Sequence, residues 1–198
     1  MKFIETIQVK NRKFQNIHFH NQRLNHTRQN ALKEVNDWQL EKLISIPDHL
    51  TDDIYKCRIV YSKGIHSIIF EPYQIRPIQS LKAVYHSSID YSYKYLNRDL
   101  LHHLFEQKRD CDDILIIKNG FVTDSYYCNV AFFYKKNWYT PITPLLKGTQ
   151  RGVLIEKGII EEKDILIEDL HIFSKVRLFN AMIEWENAPE ISIKQIVL

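Results

Sequence analysis

Apolar and polar residues alternate through Phe3-Ile4-Glu5-Thr6-Ile7-Gln8-Val9, a period of two that predicts a strand. Residues 13–19 read as its hairpin partner. From His20 to about Val35 the period turns helical, with Leu24, Ala31, Leu32 and Val35 as a sparse apolar face. A second short helix is expected from Trp38 to Ile44, stopped near Pro47. Residues 54–61 and 66–70 read as strands around Ser62-Lys63-Gly64, and residues 80–86 as another. Leu100, Leu101 and Leu104 place a helix on residues 99–105. After Asp113 the run Ile114–Ile117 reads as a strand. Asn119-Gly120 marks a turn, and residues 121–123 and 129–133 follow as strands. Gly148 opens a helix reaching Lys157, which Gly158 stops. Strands at residues 165–167, 176–180 and 191–197 complete the pattern. The class is α+β, with mainly antiparallel strands in two clusters. A split near residue 90 gives a small N-terminal lobe (1–90), a larger C-terminal lobe (91–198) and a cleft between them.

Composition narrows the function. With 198 residues, 44% of them apolar, the chain can bury a core, and it holds no run of eighteen apolar residues that would span a membrane. Met1-Lys2-Phe3-Ile4-Glu5 alternates too early for a signal peptide, so a cytoplasmic protein is expected. Cys57, Cys111 and Cys128 are odd in number and widely spaced, which argues against a disulfide framework. The close histidine pairs, His18/His20 and His102/His103, lack further ligands at metal spacing, so no metal is expected. A net charge of +3 is spread without a basic block. That suits an enzyme binding an anionic substrate and phosphate at least as well as a nucleic-acid binder.

Four local features carry candidate chemistry. Lys94 lies among tyrosines in Tyr91-Ser92-Tyr93-Lys94-Tyr95-Leu96-Asn97-Arg98; partial burial would lower its pKa, as a nucleophilic amine requires. Gly148-Thr149-Gln150-Arg151 enters a helix, whose free N–H groups form a natural phosphate seat. Asp124 follows a hairpin strand, and Arg23 sits near a helix start. Taken singly, each also fits a surface lysine, a plain helix start, a solvated carboxylate or a salt-bridged arginine.

Taken together, these segments resemble the class IV aminotransferases, which include branched-chain and D-amino-acid aminotransferases and aminodeoxychorismate lyase. Phe3-Ile4-Glu5-Thr6-Ile7 is similar to the family's opening strand. His20-x-x-Arg23-Leu24 resembles the motif whose arginine grips the cofactor phosphate, and Lys94-Tyr95-Leu96-Asn97-Arg98 the Schiff-base lysine motif. Val122-Thr123-Asp124, followed by Asn129-Val130-Ala131-Phe132, is similar to the segment with a glutamate opposite the pyridine nitrogen; here the residue is aspartate. Leu146-Lys147-Gly148-Thr149-Gln150-Arg151 resembles the phosphate-binding helix start, with Gln150 where many relatives have threonine. Asn180-Ala181-Met182-Ile183 is similar to the last cofactor-side loop. The N-terminal lobe is short for the family.

The resemblance implies a two-lobed, D-amino-acid-aminotransferase-like fold binding pyridoxal 5'-phosphate (PLP) in the cleft between lobes. Lys94 would form the Schiff base and then act as general base. Asp124 would keep the pyridine nitrogen protonated. Arg23, Thr149 and Gln150 would anchor the phosphate, with Asn180, Ala181 and Met182 closing its far side. Arg76 or Tyr85 are candidates for the substrate carboxylate. The implied reaction is transfer of an amino group between an amino acid and a 2-oxo acid, in a homodimer. The alternative is an aminodeoxychorismate-type lyase releasing pyruvate to give 4-aminobenzoate. A non-catalytic PLP binder and an aromatic-rich nucleic-acid-binding domain are further readings.

Overall fold

A computed structural model describes residues 1–198, which divide into two compact units. The first comprises Met1–Ile75 together with Tyr93–Asn97; the second comprises Arg76–Ser92 and Arg98–Leu198. The chain thus leaves the first unit at residue 75, not near residue 90, and the lysine segment returns to it.

The first unit contains β1 (Phe3–Lys10), β2 (Lys13–Phe14), α1 (Ile17–Ala31), α2 (Leu40–Leu43), β3 (Tyr55–Tyr61) and β4 (Ile65–Pro72). Its sheet has the order β2-β1-β3-β4, antiparallel throughout. Phe3, Ile7, Val9, Leu24, Leu40, Cys57, Ile59 and Tyr61 form the core. Burying each larger side chain among them contributes roughly 1.5–3 kcal/mol. The hairpin partner expected over residues 13–19 is only two residues long, and α1 begins at Ile17. The buried face of α1 is His20, Leu24, Thr27 and Arg28, mostly polar, so apolar spacing alone placed its ends too late.

The brevity of β2 has a structural use. It pairs only with Val9 and Lys10, which leaves the edge of β1 open at Phe3–Ile4. Residues 94–96 take that edge: the Ile4 N–H donates to the Lys94 carbonyl at 2.9 Å, and the Leu96 N–H to the Lys2 carbonyl at 2.9 Å. The rings of Tyr93 and Tyr95 lie 6.1 and 5.4 Å from that of Phe3. Lys94 is therefore pinned on both sides by backbone bonds and aromatic packing.

The second unit runs β5 (Leu81–Tyr85), α3 (Asp99–Glu106), β6 (Asp113–Lys118), β7 (Phe121–Ser125), β8 (Asn129–Tyr134), β9 (Asn137–Pro141), α4 (Thr149–Glu156), β10 (Glu161–Lys163), β11 (Lys175–Phe179), β12 (Glu190–Ser192) and β13 (Ile196–Val197). The order is β10-β9-β8-β7-β6-β5-β13, with β11 joining β8 and β12. Three pairs are parallel (β5 with β6, β5 with β13, β9 with β10), so this sheet is mixed. Asn119 and Gly120 both take positive φ, 52° and 83°, the conformation a tight hairpin needs and asparagine and glycine tolerate. Residues 165–167 make only an isolated bridge at Leu166, and residues 191–197 are broken by a 3-10 turn.

Candidate active site

Within the first unit the candidate residues gather at the start of β1. Glu5 alternates onto the same face as Phe3 and Ile7, which buries its carboxylate completely. Such a group requires partners. Arg23 donates through Nε to Glu5 Oε1 at 2.9 Å and through Nη2 to Oε2 at 2.6 Å, and His20 Nδ1 lies 2.7 Å from Oε2. Burial alone would raise the pKa of Glu5, but the Arg23 charge and the hydrogen bonds from His20 and Arg23 outweigh it and hold Glu5 down to about 2. Burial also lowers the pKa of His20, against the opposing pull of Glu5; Lys94 adds a further lowering charge, so the lysine acts on the same cluster. His20 and Arg23 reach Glu5 together because they stand three apart on one face of α1.

Within the second unit the candidates meet around Asn129. Asp124 and Asn129 face each other across the β7–β8 hairpin. The Asn129 side-chain amide donates to Asp124 Oδ1 at 2.7 Å and to the Leu146 carbonyl at 2.9 Å; the Leu146 N–H donates to Asp124 Oδ2 at 2.9 Å. Asp124 is buried in a central strand, and burial pushes its pKa up to about 6 despite those donors. It is a carboxylate that gains from a cation brought beside it.

Gly148 caps the start of α4. A Cβ there would stand 2.0 Å from Asn129 Oδ1, and Asn129 is held by both its amide bonds, so only glycine fits. Thr149 and Gln150 are buried in the first turn. Asn180 donates to Cys128 Sγ at 3.3 Å and to the Tyr127 carbonyl at 3.4 Å, and accepts from the Met182 N–H at 2.8 Å. The segment Asn180-Ala181-Met182 is thus tied to the same hairpin that carries Asp124.

Arg76 is exposed and donates to the Asp112 carbonyl at 3.3 Å, and Tyr85 is exposed at the end of β5. The sequence assigns no role to Glu5 or Asn129, although both stand in segments that resemble the family's. The available signal for Glu5 was a carboxylate on the apolar face of a strand. For Asn129 the signal is its place in Asn129-Val130-Ala131-Phe132, the run that follows Asp124.

The residues present suit PLP: an amine at Lys94, a guanidinium at Arg23, a buried carboxylate at Asp124 and a glycine-capped helix start at Thr149. Residues 2–191 match the family model for amino-transferase class IV. An uncharacterized protein of Haemophilus influenzae is 39% identical over 184 residues, covering 90% of this chain and 96% of that one. The crystal structure of a "putative 4-amino-4-deoxychorismate lyase" from Haemophilus somnus is 34% identical with a TM-score of 0.84, covering 91% of this chain and 96% of the other. A PLP-bound hypothetical aminotransferase from Mycobacterium tuberculosis, 17% identical, shares the fold at a TM-score of 0.76 over 96% of this chain and 80% of its own. The chain belongs to the class IV amino-transferase family of enzymes.

Proposed function

We propose that the protein is a PLP-dependent aminotransferase that holds its cofactor covalently through Lys94 Nζ. The observation that carries this reading is the fixing of Lys94 onto the open edge of β1, beside the Glu5–His20–Arg23 cluster. When bound, the cofactor supplies an electron sink for a carbanion at the substrate α-carbon. Lys94 Nζ would hold the cofactor at rest and, as a free amine, would serve as the base that moves the substrate α-proton. Asp124, held by Asn129 and the Leu146 N–H, keeps a proton on the ring nitrogen. Arg23 and the first turn of α4 hold the phosphate, with Glu5 orienting the Arg23 guanidinium. Asn180, Ala181 and Met182 close its far side.

The substrate would be an amino acid or amino-carboxylate, with Arg76 and Tyr85 as the candidates for its carboxylate. A cytoplasmic homodimer is part of the same reading. Edge strand β4 exposes Ile68 and Ile69, apolar surface of the kind a second copy would cover. Incubating the loaded protein with a panel of L- and D-amino acids tests the reaction: conversion of the bound cofactor to its amine form by one of them supports transfer. No conversion by any donor would reject it.

A lyase is the second reading, and the 34% identity to the Haemophilus somnus protein along most of both chains favours it. Here the same lysine would release pyruvate from an aminodeoxychorismate-type substrate without consuming the amino group. Pyruvate release with no change in the cofactor's form would select it over transfer.

A further inference from the structure

The turn between β7 and β8, Ser125–Cys128, lies between Asp124 and Asn129, the two residues whose pairing closes the hairpin. The turn is continuous with both residues, so its position bears directly on that of the Asp124 carboxylate. One cation is committed to it. Arg98 Nη2 donates to the Tyr126 carbonyl at 2.5 Å and Nη1 to the Tyr91 hydroxyl at 3.3 Å. The guanidinium carbon stands 4.5, 4.8 and 5.4 Å from the ring centres of Tyr127, Tyr126 and Tyr91. Its Nε is buried without an acceptor. Arg98 therefore directs both its hydrogen bonds and its charge at one turn and the tyrosines around it, rather than at a carboxylate.

The turn has other anchors. The Tyr126 N–H donates to the buried Asp113 carboxylate at 3.3 Å, Asn180 holds the Tyr127 carbonyl, and Phe105 stacks on Tyr126 at 4.3 Å. The hairpin can therefore form without Arg98. What Arg98 adds is a fork joining the turn's backbone to Tyr91, a restraint a lysine cannot reproduce.

We propose that Arg98 is a positioning residue, clamping the Tyr126–Tyr127 turn so that Asp124 and Asn129 are held where Asp124 meets the cofactor ring. The catalytic half of this statement rests on the role given to Asp124 above; the clamp itself does not.

Two measurements separate these halves. In cofactor-free protein, Arg98→Ala should speed amide hydrogen exchange at residues 125–129 by roughly 10- to 100-fold, the scale of losing a charge-assisted bond and its ring contacts. Exchange in β1 and β3 should stay unchanged. In the loaded enzyme, Arg98→Ala should lower kcat with little change in KM, and should add nothing to the deficit of Asp124→Asn. Unchanged exchange at the turn would overturn the clamp. Losses that multiply in the double variant would overturn its action through Asp124. If Arg98→Ala loosens the whole chain, Arg98→Lys decides, since it keeps the charge and removes the fork: faster exchange confined to residues 125–129 supports the clamp, and uniform or absent change overturns it. Loss of the Lys94 label described in the Discussion would instead count against the proposed function, leaving the exchange result to stand by itself.

Discussion

Arg23 and Glu5 meet through two parallel contacts, Nε to Oε1 at 2.9 Å and Nη2 to Oε2 at 2.6 Å, with the carboxylate fully buried. The arginine expected to hold the cofactor phosphate is thus also the counter-ion of a core carboxylate. Removing it strips two of the contacts from a buried charge and leaves the His20 side chain beside it. Arg23→Ala should therefore weaken cofactor retention on dialysis and also destabilise the fold by about 3–5 kcal/mol. The sign with pH follows from Glu5, whose folded pKa of about 2 lies below its ordinary 4.5. Its stabilisation is present above pH 4.5 and is lost as pH falls toward 2. Arg23→Ala should shift that acid limb to higher pH in thermal melts. Wild-type retention and an unmoved limb would show that neither role is real.

Asp124→Asn keeps the size and the Leu146 contact but cannot hold a proton on the ring nitrogen. The variant should fold and still take the cofactor on Lys94. Its single-turnover rate with an amine donor should fall by about two to three powers of ten. Asp124→Glu should keep partial activity. An unchanged rate for Asp124→Asn would remove this carboxylate from the site.

The same substitution has a signature without cofactor. Asp124 is raised from 3.8 to about 6, so its contribution is most favourable below pH 3.8 and is lost as pH rises through 6. Across that window it should tilt stability downward by about 1.4 kcal/mol per pH unit. Asp113, also raised to about 6, adds a parallel slope. Asp124→Asn should remove about half of the combined tilt, measured by urea unfolding between pH 4 and 6. In wild-type protein, loading the cofactor should flatten it as well, because a protonated ring nitrogen favours the ionised carboxylate. A slope indifferent to both would show that Asp124 is ionised throughout.

Gly148→Ala should disturb the site without touching the cofactor directly. Its Cβ would meet Asn129 Oδ1 at 2.0 Å and force that side chain off Asp124. Cofactor affinity should drop about 10-fold or more, the scale of one broken buried hydrogen bond. Wild-type affinity would mean that Asn129 moves freely.

Much of this arrangement was legible in the sequence. The alternation in β1 and the Asn119-Gly120 turn mark the two sheets, because one face of β1 is mostly apolar and a tight hairpin needs positive φ. The limits of α1 were not, because His20, Thr27 and Arg28 fill its buried face and only Leu24 signals it. The parallel pairing of β5 with β6 and β13 was also hidden, since side-chain alternation does not encode strand direction. Lys94, Asp124 and the α4 start are singled out by the motifs in which they stand. Their supporting partners Glu5 and Asn129 were passed over, because a polar residue in a strand declares its role only when its face and neighbours are known. Arg98 stands in the same segment as Lys94 and Tyr91, yet Tyr126 and Tyr127, the other two rings it meets, come from the later β7–β8 turn.

The central claim is that Lys94 carries the cofactor. Borohydride reduction of the PLP-loaded protein, followed by peptide mass spectrometry, tests it most directly. The expected result is a single reduced adduct on the peptide containing Tyr93-Lys94-Tyr95, lost in Lys94→Ala while the cofactor-free variant keeps its fold. An adduct on any other lysine, or its persistence in Lys94→Ala, would contradict the account.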